Sequence, residues 1–327
     1  MTNALGLNSS LIAGQGLHRP FGLGGSDIGA LLGLSHYKTP LQLWAEKVSS
    51  TSAPNKDAIH LRFGHHVEPF IAQEYERQTG LKTVSHAPTI FHPDHGFMYA
   101  HVDRLVLAHD ENLAAEGQRI YAQTLLECKT ASVFNRDEWG EPGSDQVPPS
   151  YLVQCVWYMA ITQCKRADLA VLLGNQDFRI YQIHRDEELE NLVLDHAKQF
   201  WFDHVLSKTP PAPVTEDDIR TLYPKEVAGH TIEADHDLLA SLKSYKTTQT
   251  KIAELSEQCE SIRQDILKRM GQAEQITLNS KVLATWKSSK PAKRLDTKSL
   301  ALAHPDLVEQ FTMQGAISRR FVVKELA

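Results

Sequence analysis

The sequence predicts a mixed α/β core followed by a helical and β-hairpin extension, and three observations support that division. Up to about residue 207 the apolar periodicity runs helix, strands, helix, strand pair, helix, the order of a sheet covered by helices. Pro210, Pro211 and Pro213 then punctuate the chain as linkers do. Beyond them Leu238, Leu242, Tyr245, Ile252, Leu255, Cys259, Ile262 and Ile266 recur at helical spacing up to Gly271, as in one long amphipathic helix or two joined end to end. The organisation expected is a poorly ordered stretch 1–17, a core over 18–209 and an extension over 215–327.

The N-terminal residues are small and polar, and the first helix signal follows them. Gly22, Gly24 and Gly25 approach Ser26, an N-cap for a helix starting at Asp27. A helix N-terminus offers free N–H groups and a positive dipole end, so this is a candidate phosphate seat with Arg19 and the Ser26 hydroxyl as added donors; an ordinary capped helix is the alternative. Thr39-Pro40 is a second start, opening a helix through Leu41, Leu43, Trp44 and Val48. After a polar loop, Phe63 to Gly80 reads as a helix with Val67, Phe70, Ile71 and Tyr75 on one face. Glu68 falls in its first turn, either as a carboxylate reaching a site or as a partner of the helix dipole.

Residues 81–85, 90–92 and 97–107 read as strands, with Pro93-Asp94-His95-Gly96 a hairpin turn between the last two and Asp103 ending a strand. Thr124-Leu125-Leu126 is a short apolar strand leading into Glu127 and Lys129. A polar loop over 131–149 precedes a helix from Pro149 to Thr162, apolar enough to pack on the sheet apart from Gln154. A hairpin over 168–184, turning at Gly174-Asn175, and a helix from Asp186 to Ser207 complete the core. In the extension, Ile276–Trp286 resembles a hairpin. Lys281, Lys287, Lys290, Lys293, Arg294 and Lys298, with Arg319, Arg320 and Lys324, form either a basic path for a DNA backbone or solvated loops.

With 42% hydrophobic and 23% charged residues, the composition is that of an ordinary globular protein. Neither a membrane-spanning run nor a leader pattern is seen, so cytoplasmic residence without a membrane partner is expected. Cys128, Cys155, Cys164 and Cys259 are scattered with no Cys-x-x-Cys pair, so neither a disulfide framework nor a zinc ribbon is indicated. The sixteen histidines include a group at His92, His95, His101 and His109, but show no zinc-ligand spacing; His101 draws notice only because it lies two residues from Asp103. A net charge of −6 neither advertises nor excludes nucleic acid, since a nuclease needs only a local positive path.

The chemistry concentrates in Thr124–Thr130 read with Asp103. Residues two apart in a strand share a face, so Glu127 and Lys129 stand side by side. Charges on a buried strand are normally paired or hold a metal. Two carboxylates suit a hard divalent cation, the Cys128 carbonyl offers a further oxygen, and a neighbouring lysine can orient or help deprotonate the attacking water. The Glu-x-Lys spacing alone is equally that of a salt bridge near a sheet edge.

Several further motifs stand in order around it. Arg19 with Gly24-Gly25-Ser26-Asp27-Ile28-Gly29, then Phe63-Gly64 and Glu68-Pro69, His101-Val102-Asp103, Glu127-Cys128-Lys129 and Tyr151-Leu152-Val153-Gln154 resemble the phage lambda exonuclease / YqaJ viral recombinase family of the PD-(D/E)-x-K nuclease superfamily. The resemblance covers roughly Arg19 to Ser207, and the segment after Gly271 is similar to the tail of YqaJ-type members. It implies a restriction-endonuclease-like core with Asp103, Glu127 and the Cys128 carbonyl as Mg²⁺ ligands, Mn²⁺ substituting. Lys129 would act on the attacking water, Glu68 and Gln154 would support the site, and Arg19 and Ser26 would bind the 5′-phosphate. His-Val-Asp103 replaces the family's Pro-Asp, a change that removes no ligand.

The implied activity is a two-metal, 5′-to-3′ exonuclease on linear duplex DNA, with ions about 4 Å apart. It would release mononucleotides and leave a 3′ overhang. Implied partners are duplex DNA ends, a single-strand annealing protein and two further copies in a homotrimer, in a phage or prophage setting within a bacterial host. A restriction-like endonuclease of the same superfamily and a non-catalytic DNA-binding or partner-docking protein are the alternatives.

Overall fold

A computed structural model of the protein describes residues 21–49, 58–86, 88–107, 123–291, 293–315 and 319–324. The stretch 1–17, Arg19 and His109 lie outside the described residues. The chain forms two compact units, Met1–Leu222 and Tyr223–Ala327. The division falls after the proline cluster because the segment beyond Pro213 stays on the first unit. There Asp218 is buried, accepting from Thr39 Oγ1 at 2.7 Å and from the Val214 and Thr215 N–H groups at 3.0 and 3.2 Å.

The first unit opens with α1 (Gly25–Leu31), α2 (Pro40–Val48) and α3 (Ile59–Thr79). Then come β1 (Lys82–Ser85), β2 (Ile90–Phe91), β3 (Tyr99–Ala100), β4 (Arg104–Leu107) and β5 (Thr124–Ala131). A 3-10 helix (Val133–Glu138), α4 (Pro149–Thr162), β6 (Arg166–Leu173) and β7 (Asp177–His184) follow. α5 (Glu187–Gln199) runs into a π-helical segment (Phe200–Leu206), and α6 (Glu216–Leu222) closes the unit. The main sheet has the order β1-β4-β5-β6-β7. Within this sheet β5 and β6 pair in parallel, which their crossover through α4 permits. The architecture is mixed α/β.

Strand alternation divides the core. Leu105, Leu125, Leu169 and Val171 face one side with α4 residues such as Val153, Val156 and Trp157. Val106, Leu126 and Ala170 face the other with Ile71, Ala72 and Tyr75 of α3. Glu127 and Lys129 share the parity of Leu125, so they stand on the α4 side.

Several expectations are corrected. Ser26 is not an N-cap: α1 starts at Gly25, Gly24 is the cap, and Ser26 lies exposed within the first turn. The glycines permit the earlier start, because a Cβ at Gly24 would stand 2.8 Å from the Tyr99 ring and one at Gly25 would collide with the Tyr158 ring. Helix α3 begins at Ile59, which places Glu68 mid-helix, out of reach of the N-terminal dipole. The stretch 97–107 is two strands, so Asp103 precedes β4 instead of ending a strand. β3 pairs with β2 in a separate ribbon, whereas β4 pairs with β1 and β5. β5 continues past its apolar half because β6 pairs it as far as Ala131↔Leu173. Part of the stretch read as a loop over 131–149 is the 3-10 helix.

In the second unit α7 (His236–Met270) is one continuous helix of 35 residues, capped by Asp235. The hairpin β8 (Gln275–Leu278) and β9 (Lys281–Thr285), α8 (Thr297–Ala303) and α9 (Pro305–Phe311) follow. Of the basic series Lys287 pairs with Glu274, and Asp296 caps α8 through the Lys298 and Ser299 N–H groups. No helix among the described residues is long and apolar enough to cross a membrane.

Candidate active site

The site lies where β4 stops pairing with β5. Their register ends at Arg104↔Leu126, leaving the next residues of β5 without a β4 neighbour. Asp103, just ahead of β4, fills the gap: its Oδ2 accepts the Cys128 N–H at 2.9 Å. The N–H and C=O of one strand residue point to the same edge, so the Cys128 carbonyl opens on that side too.

Glu127 is 2% exposed. Its Oε1 accepts from Lys129 Nζ at 2.6 Å and from Gln154 Nε2 at 2.7 Å. Its Oε2 is buried with no hydrogen-bond partner. An unsatisfied buried carboxylate oxygen is costly unless something absent from the polypeptide completes it. Gln154 also donates to the Tyr158 hydroxyl at 3.0 Å, so its amide is fixed from two sides. Glu68 comes from α3 and pairs with Arg104 at 3.6 Å.

The charges sense one another. Burial, then the Asp103 charge, pushes the Glu127 carboxyl up to about 8 against the opposing pull of Lys129, with Glu68 adding to the rise. Burial and then Asp103 raise the Glu68 carboxyl as well. For Lys129 burial acts downward, but Glu127 and Asp103 outweigh it and hold the ammonium protonated. Lys129 thus meets Glu127 as a cation and hydrogen-bond donor. Its Nζ stands 5.2 Å from the Tyr151 ring centroid, a cation–π contact.

A buried Glu127 carboxyl whose proton affinity is raised by burial and by the nearby Asp103 and Glu68 charges, with one oxygen orphaned, forms a site that a divalent cation would relieve. Among the described residues no group of three His, Cys, Asp or Glu side chains is arranged as a metal cage. The donor set here is two carboxylates and a main-chain carbonyl, suited to an ion that keeps waters and takes phosphate oxygens. Among the described histidines, His92 and His95 stack at 5.0 Å, and His101 Nε2 lies 2.6 Å from Thr89 Oγ1.

Asp103, Glu127, Lys129, Gln154 and Glu68 are thus gathered, while Arg19 lies outside the described residues. Ser26 is exposed on α1, whose Gly25 abuts Tyr158, the second partner of Gln154. Tyr151, Tyr158 and Arg104 join the site without having been singled out from the sequence. The two tyrosines were within its reach: Tyr151, Gln154 and Tyr158 follow at steps of three and four, a polar stripe on an otherwise apolar helix.

Residues 17–165 match the YqaJ-like viral recombinase domain. The protein YqaJ of Bacillus subtilis (strain 168) is 29% identical over 317 residues, 95% of this chain and 93% of that protein. An alkaline exonuclease, LHK-Exo, from Laribacter hongkongensis is 17% identical with a TM-score of 0.44, over 58% of this chain and 91% of its own. A phage-related exonuclease from Haemophilus somnus 129PT is 13% identical with a TM-score of 0.38, over 57% and 96% of the two chains.

Proposed function

We propose, for a chain that carries a YqaJ-like viral recombinase domain over residues 17–165, that it is a Mg²⁺-dependent exonuclease digesting one strand of linear duplex DNA from its 5′ end. The observation that carries the reading is the buried Glu127 carboxylate, held on one oxygen by Lys129 and Gln154 and unpartnered on the other, beside Asp103. Divalent ions held by Asp103, Glu127 and the Cys128 carbonyl, with Glu68 in support, would neutralise the phosphate and the charge that builds on it.

The chain's own residues do the rest. Lys129, held between Glu127 and the Tyr151 ring, positions or activates the attacking water and offers positive charge and N–H donors to the phosphoryl oxygens. Gln154 locks the Glu127 carboxylate through one oxygen and so keeps the other free. Ser26, with Arg19, is proposed to take the terminal 5′-phosphate and set the register, so that one nucleotide is released per step. Contacts to phosphate fix position without reading sequence. The 3′ overhang left behind is the substrate of a single-strand annealing partner, and a homotrimer in a bacterial host is proposed from the family resemblance.

The test is release of acid-soluble mononucleotides from linear 5′-phosphorylated duplex with Mg²⁺, compared with covalently closed circular duplex. Digestion of the linear form alone is expected, and it should vanish in Lys129→Ala with DNA binding retained. Cleavage of the circle would make the protein an endonuclease. Binding without any metal-dependent cleavage would reduce it to a docking protein.

A further inference from the structure

We propose that Phe134 is a nucleobase-stacking residue, positioning a base of the bound DNA strand beside the Asp103–Glu127–Lys129 cluster; the inference rests on the nuclease reading above. Phe134 is 92% exposed. A lone exposed apolar side chain means nothing by itself. What distinguishes this one is the rigidity of its mounting and its place in the fold.

Phe134 is the second residue of the 3-10 helix that follows β5, the strand carrying Glu127 and Lys129. That segment, kinked at Asn135, is braced on both sides of the kink. At its start the Ala131 carbonyl accepts from Gly174 N–H at 2.8 Å, in the turn between β6 and β7. Val133 Cγ1 lies 2.6 Å from where a Cβ on Gly174 would stand, so the contact needs glycine there, and Gly174 has φ +63°. The Phe134 N–H donates to Ser132 Oγ at 3.3 Å, and Arg136 pairs with Asp177 at 2.7 Å. At its end Trp139, 5% exposed, packs on Tyr181 and Tyr151 with centroids 5.4 and 5.6 Å away. Tyr151 is the ring under the Lys129 ammonium.

The same braced turn therefore supports the catalytic lysine's neighbour and projects one aromatic ring into water. Phe134 is five residues from Lys129, so their backbones are at most about 18 Å apart. A duplex strand rises about 3.4 Å per nucleotide, so the two backbones are separated by no more than about five nucleotides of strand. Every base has a π face, so stacking on phenylalanine holds a strand without choosing its sequence. That suits an enzyme that must accept each new terminal nucleotide in turn.

The experiment uses the full chain and a linear 5′-phosphorylated duplex with 2-aminopurine near the 5′ end. F134A, F134L and F134W are compared for KM, kcat and binding, and the exposure of the side chain leaves each variant free to fold. F134A should raise KM and weaken binding by roughly tenfold to a hundredfold, F134L should not rescue it, and F134W should. In a Lys129→Ala background the 2-aminopurine emission should be quenched on binding, and F134A should relieve the quench. Digestion and binding unchanged in F134A, or full rescue by leucine, would overturn the stacking role. So would a change of sedimentation in F134A, which would mean the ring covers another copy of the chain. A parent chain that digests no DNA fails the nuclease reading itself, and Phe134 falls with it.

Discussion

Asp103 Oδ2 accepts the backbone N–H of Cys128 at 2.9 Å, where the register of β4 with β5 has run out. A side chain thus replaces the missing strand, and the exchange leaves a carboxylate at a sheet edge next to buried Glu127. Asp103→Asn keeps the shape but removes the charge that a cation needs. Digestion should fall by at least about a hundredfold, more than loss of an outer partner costs. Thermal unfolding should be nearly unchanged. A variant retaining a tenth of parent activity would show that Asp103 is only a strand cap.

Gln154 donates to both Glu127 and Tyr158, and so ties the carboxylate to α4. Gln154→Leu should leave Glu127 able to rotate, with a loss of about tenfold to a hundredfold in activity or Mg²⁺ affinity. Titrating Mg²⁺ into the digestion assay separates the two, since a pure affinity loss is recovered at high metal.

How much of this was legible in the sequence depends on the range of the interaction. The alternation Leu125, Glu127, Lys129 put acid and lysine on one face, because strand period is a local property. The break at 101–103 was not legible, since an apolar run looks the same whether it keeps one partner or exchanges β2 for β1 and β5. Ser26 looked like a cap because its residue type favours one; the helix starts earlier because Gly24 and Gly25 can lie against Tyr99 and Tyr158. Those are tertiary contacts that no window of residues displays.

The end-recognition proposal has its own test. Parent enzyme should digest a 5′-phosphorylated duplex faster than a 5′-hydroxyl one, and Ser26→Ala and Arg19→Ala should each narrow the ratio. Ser26 is exposed, so its loss should leave the melting temperature within the small range of surface substitutions. Indifference of the parent to the terminal group would remove both residues from the mechanism.

Away from the site, burial raises the Asp168 carboxyl above its ordinary value, opposed by its bonds to Tyr75 and Arg166. A raised carboxyl binds its proton more tightly when folded, so this contribution to stability is full below the ordinary value of about 3.9 and is lost as pH rises through the folded pKa. The amide introduced by Asp168→Asn cannot titrate. The parent's stability relative to that variant, from urea unfolding, should therefore be greater at about pH 4 than at about pH 7. A difference independent of pH would contradict it.

Gly25 connects the fold to the chemistry. A Cβ there would collide with the ring of Tyr158, whose hydroxyl accepts from Gln154, which in turn holds Glu127. Both sides of the contact are buried, so Gly25→Ala must push the ring or the helix aside, at a cost of about 1–3 kcal/mol for overpacking. The displacement travels first to Gln154. Gly25→Ala should therefore lower digestion by more than its loss of stability explains, and Gly25→Ala combined with Tyr158→Leu should recover stability without recovering activity. If the single variant unfolds more easily yet digests DNA at the parent rate below its melting temperature, Tyr158 does not transmit position to the carboxylate.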